Sequence, residues 1–155
     1  MAAMLGRTYD GQNCSVARAL ESVGERWSLL IIRDALLRGI SRFSEFERSL
    51  AIAPNILATR LEGFVDAGLM ELRTHPDRAG RRDYLLTDKG RDLAPVILAL
   101  TAWGDRWAAP QGPPVIYEHD GCGGVIHQQV HCQICGHVPT PMDMTARPGH
   151  VEVAP

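Results

Sequence analysis

The chain has 155 residues, of which 45% are hydrophobic and 22% charged, and its formal net charge is −2. That suffices for one ordinary domain with its own core plus a small appendage, and it fits a globular protein rather than a fibrous or disordered one. No apolar run approaches the ~18 residues of a membrane span, and the opening "MAAMLGRTYDGQN" lacks the apolar stretch of a secretory leader. A cytoplasmic protein is expected, with cysteines as thiols or metal ligands rather than structural disulfides.

Charge is unevenly spread. Residues 1–82 hold 12 Arg against 10 acids, whereas residues 83–155 hold 4 basic residues against 8 acids. The densest basic stretch is "RTHPDRAGRR", where Arg73, Arg78, Arg81 and Arg82 face one acid, Asp77.

In chain order, "SVARALESV" is the first expected helix, preceded by Cys14 and stopped by Gly24. "RWSLLIIRDALL" is apolar on nearly every side, as a central buried helix would be, and Gly39 ends it. "RFSEFERSL" puts Phe43, Phe46 and Leu50 on one face, with Ser41 the expected N-cap. After three residues, "AIA", a fourth helix opens at Pro54, whose missing N–H costs nothing in a first turn. Leu57, Leu61 and Phe64 form its buried stripe, and Gly68 stands where a left-handed residue would end it.

Two helices joined by so short a turn, the second lightly covered outside, make a helix-turn-helix. Its bare face, with Asn55, Ile56, Thr59 and Asp66, is the one that would enter a major groove. Gly63 in this helix suggests a close backbone approach.

Beyond Gly68 the period shortens from 3.6 to 2. Met70, Leu72 and Thr74 alternate with polar residues, "PDRAGRR" supplies a turn, and Tyr84 and Leu86 resume on a return strand. This hairpin, with its arginine-rich tip, reads as a wing. Thr87 then caps one long helix, "DKGRDLAPVILALTAWGDRW", whose apolar stripe of Leu93, Val96, Ile97, Leu100, Trp103 and Trp107 exceeds what one chain can cover. A second copy would bury the remainder.

"APQGPP" reads as a linker. Past it, two short strand-like pieces flank His119-x2-Cys122 and Cys132-x2-Cys135, nine residues apart, with a glycine after Cys122 and Cys135. Two such pairs can close a tetrahedral structural zinc site, which makes this a zinc-ribbon-like β appendage. His127, His131 and His137 read as surface residues, and as substitutes should His119 be misplaced.

The reading is thus mainly α with a small antiparallel β wing. Residues 14–108 form a winged helix-turn-helix for DNA binding and dimerisation, residues 115–138 the appendage, and 1–13 and 139–155 flexible or extended tails.

From Cys14 to Trp107 the sequence resembles the HxlR-type winged helix-turn-helix regulators of bacteria, relatives of the MarR group. The resemblance rests on "RWSLLIIRDALLRGISRFSEFERSLAIAPNILATRLEGFVDAGLMELR", "YLLTDKGRDL" and "AWGDRW". It implies a non-enzymatic homodimer that binds palindromic operator DNA and regulates nearby genes, under a small-molecule or oxidant effector. Several members sense oxidants through a cysteine just before the first helix, here Cys14. The family pattern there is Cys-Pro, and this chain has Cys14-Ser15.

The expected DNA contacts are Pro54, Asn55, Ile56, Thr59 and Arg60 in the major groove, Arg42 and Ser44 on the backbone nearby, and Arg78, Arg81 and Arg82 on flanking phosphates or the minor groove. Two other readings stand beside this one: a small thiol- or metal-dependent enzyme using the C-terminal cluster, and a winged-helix scaffold that binds another protein. No HExxH, GxSxG or phosphate-loop motif favours the enzyme.

Overall fold

The computed structural model describes residues 8–76, 80–147 and 149. It divides into two units, Met1–Thr101 and Ala102–Pro155, and the division falls inside the last long helix, ahead of the linker read from composition. Among the described residues no helix is long and apolar enough to cross a membrane.

The first unit begins with α1 (Ser15–Val23) and α2 (Ser28–Arg38). Ahead of α1, Tyr9 donates its N–H to Glu21 at 2.7 Å, and an Arg18 guanidinium N–H donates to the Tyr9 carbonyl at 2.5 Å. The segment expected as a free tail is therefore held onto α1 from Tyr9 onward. α3 (Phe43–Leu50) and α4 (Pro54–Asp66) follow across a turn in which Ala51 adopts φ 49°, a left-handed conformation more often given to glycine.

Ser41 is not the N-cap of α3. Arg42 holds that position, and because its side chain has no acceptor, Glu45 reaches back to take the Arg42 N–H at 3.3 Å. Ser41 is drawn instead to the sheet, where its carbonyl accepts the Tyr84 N–H at 2.8 Å.

α4 ends as expected. Gly68 has φ 70°, the Leu69 N–H donates to the Phe64 carbonyl and the Gly68 N–H to the Val65 carbonyl, which together close a Schellman motif. Gly63 departs from expectation: it is exposed, and a Cβ there would meet nothing within 4 Å, so no backbone approaches it.

The wing is a two-stranded antiparallel sheet of β1 (Met70–Thr74) and β2 (Arg82–Leu86), in register Met70↔Leu86 and Leu72↔Tyr84. Thr87 caps the next turn by accepting the Gly90 N–H at 3.2 Å. The single long helix expected here is two, α5 (Asp88–Arg91) and α6 (Ala94–Trp107). Pro95 explains the break, since it has no N–H for the Arg91 carbonyl and its ring would strike it. Gly90 is required by contact rather than by φ: a Cβ would lie 2.2 Å from the Leu69 carbonyl oxygen.

The core gathers Val23, Ile31, Ile32, Phe46, Ile52, Leu57, Leu61, Phe64, Leu69, Met70 and Ile97, so every helix-turn-helix element contributes to it. α2 and α3 are also joined by a polar tie. Asp34, fully buried, accepts from Nε and Nη2 of Arg33 at 2.9 and 2.7 Å and from the Ser49 hydroxyl at 2.6 Å.

In the second unit the strand-like pieces do not become a ribbon. Among the described residues the pairing between 115 and 138 is one isolated bridge, Glu118↔Val125, and nearly all side chains there are exposed. A stretch rich in glycine with no buried face has nothing to hold a ladder in register. Residues expected to lack structure beyond 138 include one 3-10 turn, Pro141–Asp143.

Candidate nucleic-acid interface

At about 100° per residue, Asn55, Thr59, Glu62 and Asp66 fall on one side of α4, with Pro54 and Ile56 flanking its first turn. All six are exposed. Glu62 completes this face at i+7 from Asn55, a place that the spacing in the sequence already gives it. A carboxylate there can accept from a cytosine amino group. The Thr59 hydroxyl donates to the Asn55 carbonyl at 2.9 Å, so its donor is spent within the helix while its oxygen can still accept.

Arg60 does not belong to this face. It lies about 140° around the helix from Asn55, with an Nη2···Oε2 distance of 3.0 Å to Glu25 in the turn after α1. Its role is a brace between the reading helix and that turn.

The wing sorts its arginines in the same way. Asp83 on β2 is only 5% exposed and collects His75 at 2.6 Å, Arg81 at 3.3 Å and Arg42 at 3.9 Å. Burial pushes its pKa up, but the hydrogen bonds from His75 and Arg81 outweigh that and leave it below the usual carboxylate range. Arg81 is therefore paired to Asp83 where the turn of the wing enters β2, rather than standing as a free phosphate ligand. Arg82 is exposed and has no ion-pair partner among the described residues, while Arg42 keeps about half of its side chain in solvent. Arg78, also expected on DNA, lies outside the described residues.

Between wing and helices runs a groove of about 450 Å³, lined by Arg42, Phe43, Ser44, Ala58, Glu62, Arg81, Arg82 and Tyr84. Ser44, exposed at the second position of α3, faces it from a helix N-terminus, where an anion is favoured. Convex helix, basic rim and groove are the parts a duplex needs: base edges for α4 and phosphates for Ser44, Arg42 and Arg82.

The Asp83 cluster makes a pH prediction. A carboxylate whose folded pKa is depressed contributes stability that is present above its unfolded pKa, near 3.9, and is lost as pH falls through the folded value. Urea midpoints measured from pH 6 down to 3 should therefore fall more steeply below about pH 4 in the native chain than in Asp83→Asn. Equal slopes would remove Asp83 from the acid sensitivity.

Of the residues expected at a dimer interface, Ile97 lies in the core of its own chain and Leu93 packs against it. The other four are exposed: Val96 and Leu100, then Trp103 at 63% and Trp107 at 66%. Cys14 is exposed at the N-cap of α1, where the amides of Ala17 and Val16 face its sulfur and lower its pKa.

The C-terminal ligands form two pairs. His119 Nδ1 lies 3.4 Å from Cys122 Sγ, and the Cys132 thiol faces Cys135, whose amide, with that of Ile134, lowers the Cys132 pKa. Gly123 and Gly136 take φ 68° and 71° just after each pair. The single four-ligand site expected from the spacing is not assembled in the chain: among the described residues, no three or more His, Cys, Asp or Glu gather where a metal could sit. The spacing is local and forms each pair, whereas joining the pairs needs a packed ribbon, which is missing.

Comparison with known proteins agrees with this geometry. Residues 22–112 match the family described as HxlR-like helix-turn-helix. An uncharacterised HTH-type transcriptional regulator of Mycobacterium tuberculosis, Rv3095, is 39% identical over 146 residues, 94% of this chain and 90% of the relative. YvaP of Bacillus subtilis, described in the same words, is 34% identical over 94 residues, 60% of this chain and 86% of the relative. Among solved structures, the candidate transcription factor PA1607 superposes with a TM-score of 0.81 at 36% identity, covering 88% of this chain and 96% of that one. PA1374 of Pseudomonas aeruginosa, another candidate transcription factor, gives 0.61 at 40% identity, with 92% and 95% covered.

Proposed function

The chain belongs to the HxlR-like helix-turn-helix family and is a transcriptional regulator of that type; from that premise we propose that it acts as a homodimer on a palindromic DNA operator in the cytoplasm, without catalysis of its own. The observation that carries the DNA reading is the exposed, polar outer face of α4 beside a groove rimmed by Arg42, Arg82 and the N-terminus of α3. Two such helices, related by a two-fold axis, would enter major grooves one helical turn apart, about 34–36 Å. The uncovered apolar residues of α6 support the dimer, together with Val16 and Leu20 of α1. An oxidant or electrophile is the effector class that Cys14 favours, because it is exposed and its thiol pKa is lowered. A structural neighbour 25% identical over 60% of this chain is described as the redox regulator HypR.

Binding measured on operator and random duplexes over a range of salt tests the interface. Asn55→Ala should cost about 1–3 kcal/mol on the operator and relax specificity at one base pair. Arg82→Ala should weaken every sequence alike and flatten the salt dependence by about one phosphate contact. Arg81→Ala should instead lower stability, since it leaves Asp83 short of a partner. If Asn55→Ala bound both duplexes as the native chain does, α4 would not read sequence. Failure to shift any duplex at low salt would favour the protein-binding scaffold.

A further inference from the structure

The two C-terminal pairs have the geometry of halves. In a tetrahedral zinc centre, with Zn–N about 2.0–2.1 Å and Zn–S about 2.3 Å, an imidazole nitrogen and a thiolate lie about 3.5 Å apart. His119 Nδ1 and Cys122 Sγ stand at 3.4 Å. Each pair lies in a tight turn: Cys122 and Gly123 donate their N–H groups to the His119 carbonyl, and Gly136 donates to the Cys132 carbonyl. The Gly124 N–H also points at Cys122 Sγ, at 3.4 Å, as an amide stabilising a thiolate does.

Each half offers two donors, a closed structural site needs four, and among the described residues no third gathers at either half. Among the described residues of the second unit no packed apolar core holds the halves together: Val115, Ile116, Val125, Ile126 and Val130 are all exposed, and Ile134 between the cysteines is 97% exposed.

We propose that His119 and Cys122 of one protomer, with Cys132 and Cys135 of a second copy, hold a structural zinc ion, so that a dimer carries two such sites across its axis. Two observations select a second copy as the occupant. The second unit exposes Trp103 and Trp107 together with Val115, Ile116, Val125, Ile126 and Val130, apolar surface that a partner chain would cover. The half-sites are also complementary, one nitrogen–sulfur and one sulfur–sulfur, so an antiparallel meeting of two copies satisfies both at once. The inference rests on the homodimer proposed above.

The test is complementation in full-length protein. One chain carries His119→Ala with Cys122→Ala, the other Cys132→Ala with Cys135→Ala, and each has a different affinity tag. Zinc is measured by elemental analysis after purification of native dimers, each variant dimer and the doubly tagged mixed dimer. The expected result is about two zinc ions per native dimer, almost none in either variant dimer, and about one in the mixed dimer, where one shared site is intact. A zinc-loaded native dimer with an empty mixed dimer overturns the proposal, because it places all four ligands in one chain. A native protein without zinc, or with a Cys132–Cys135 disulfide by mass, overturns it as well. Sedimentation of the same samples separates these outcomes from failure of the dimer itself, which a zinc-loaded monomer would reveal. Retained operator binding by the variant dimers reports that the first unit is folded.

Discussion

Replacing Asp34 with alanine should lower the stability of the first unit by about 3–5 kcal/mol. The carboxylate is fully buried and serves both sides of the α2–α3 packing, through Arg33 on one oxygen and Ser49 on the other. Truncation leaves the Arg33 guanidinium, itself only 30% exposed, without its counter-charge and opens a polar void against Ser49. A domain of this kind is stable by only about 5–15 kcal/mol, so the loss is a large fraction of the whole. Urea denaturation measures it. The exposed pair Asp88–Arg91 supplies the comparison, and Asp88→Ala should change stability by about 0.5 kcal/mol or less through that pair. A change under about 1 kcal/mol for Asp34→Ala would show that the tie is dispensable.

The second large effect concerns assembly. Val96, Leu100, Trp103 and Trp107 recur at i, i+4, i+7 and i+11, the spacing of a seam between paired helices. Trp103→Glu would place an unpaired charge in that seam, at several kcal/mol per protomer. The native chain should sediment as a dimer at micromolar concentration and the variant as a monomer with an unchanged helical circular dichroism spectrum, since Trp103 is largely exposed in its own chain. Operator affinity should then fall by about a hundredfold or more, because each half-site would be held without its neighbour. A native monomer, or a variant that remains dimeric, would move the interface elsewhere.

How far the sequence could be read depended on the range of the interactions. α1 to α4 and the hairpin were legible because periodicity, Pro54 and the terminating Gly39 and Gly68 act within a few residues. Arg60 and Arg81 were misassigned for the opposite reason. A guanidinium on a helix or at a hairpin tip looks free until its partner is placed, and Glu25 lies 35 positions from Arg60. Asp83, an acid directly after Arg81 and Arg82, was the missed signal: an acid that sits in a basic hairpin and alternates inward is more useful as an anchor than as surface. The break before α6 was available from Pro95 alone and was overridden by the apolar stripe. In the C-terminal unit each two-ligand turn was readable from its spacing, but their union depends on packing that no local pattern encodes.

The brace between Arg60 and Glu25 gives the reading helix a thermodynamic partner. Glu25 stands in the turn that ends α1, the helix that begins at Cys14, so the position of α4 and the state of α1 are not independent variables. If modifying the Cys14 thiol shifts α1 and with it the affinity for operator, then occupancy of the operator must shift the equilibrium modification of Cys14 by the same factor, because coupling free energy has no preferred direction. DNA would then act as a ligand that shifts the chemistry of a thiol it does not itself touch.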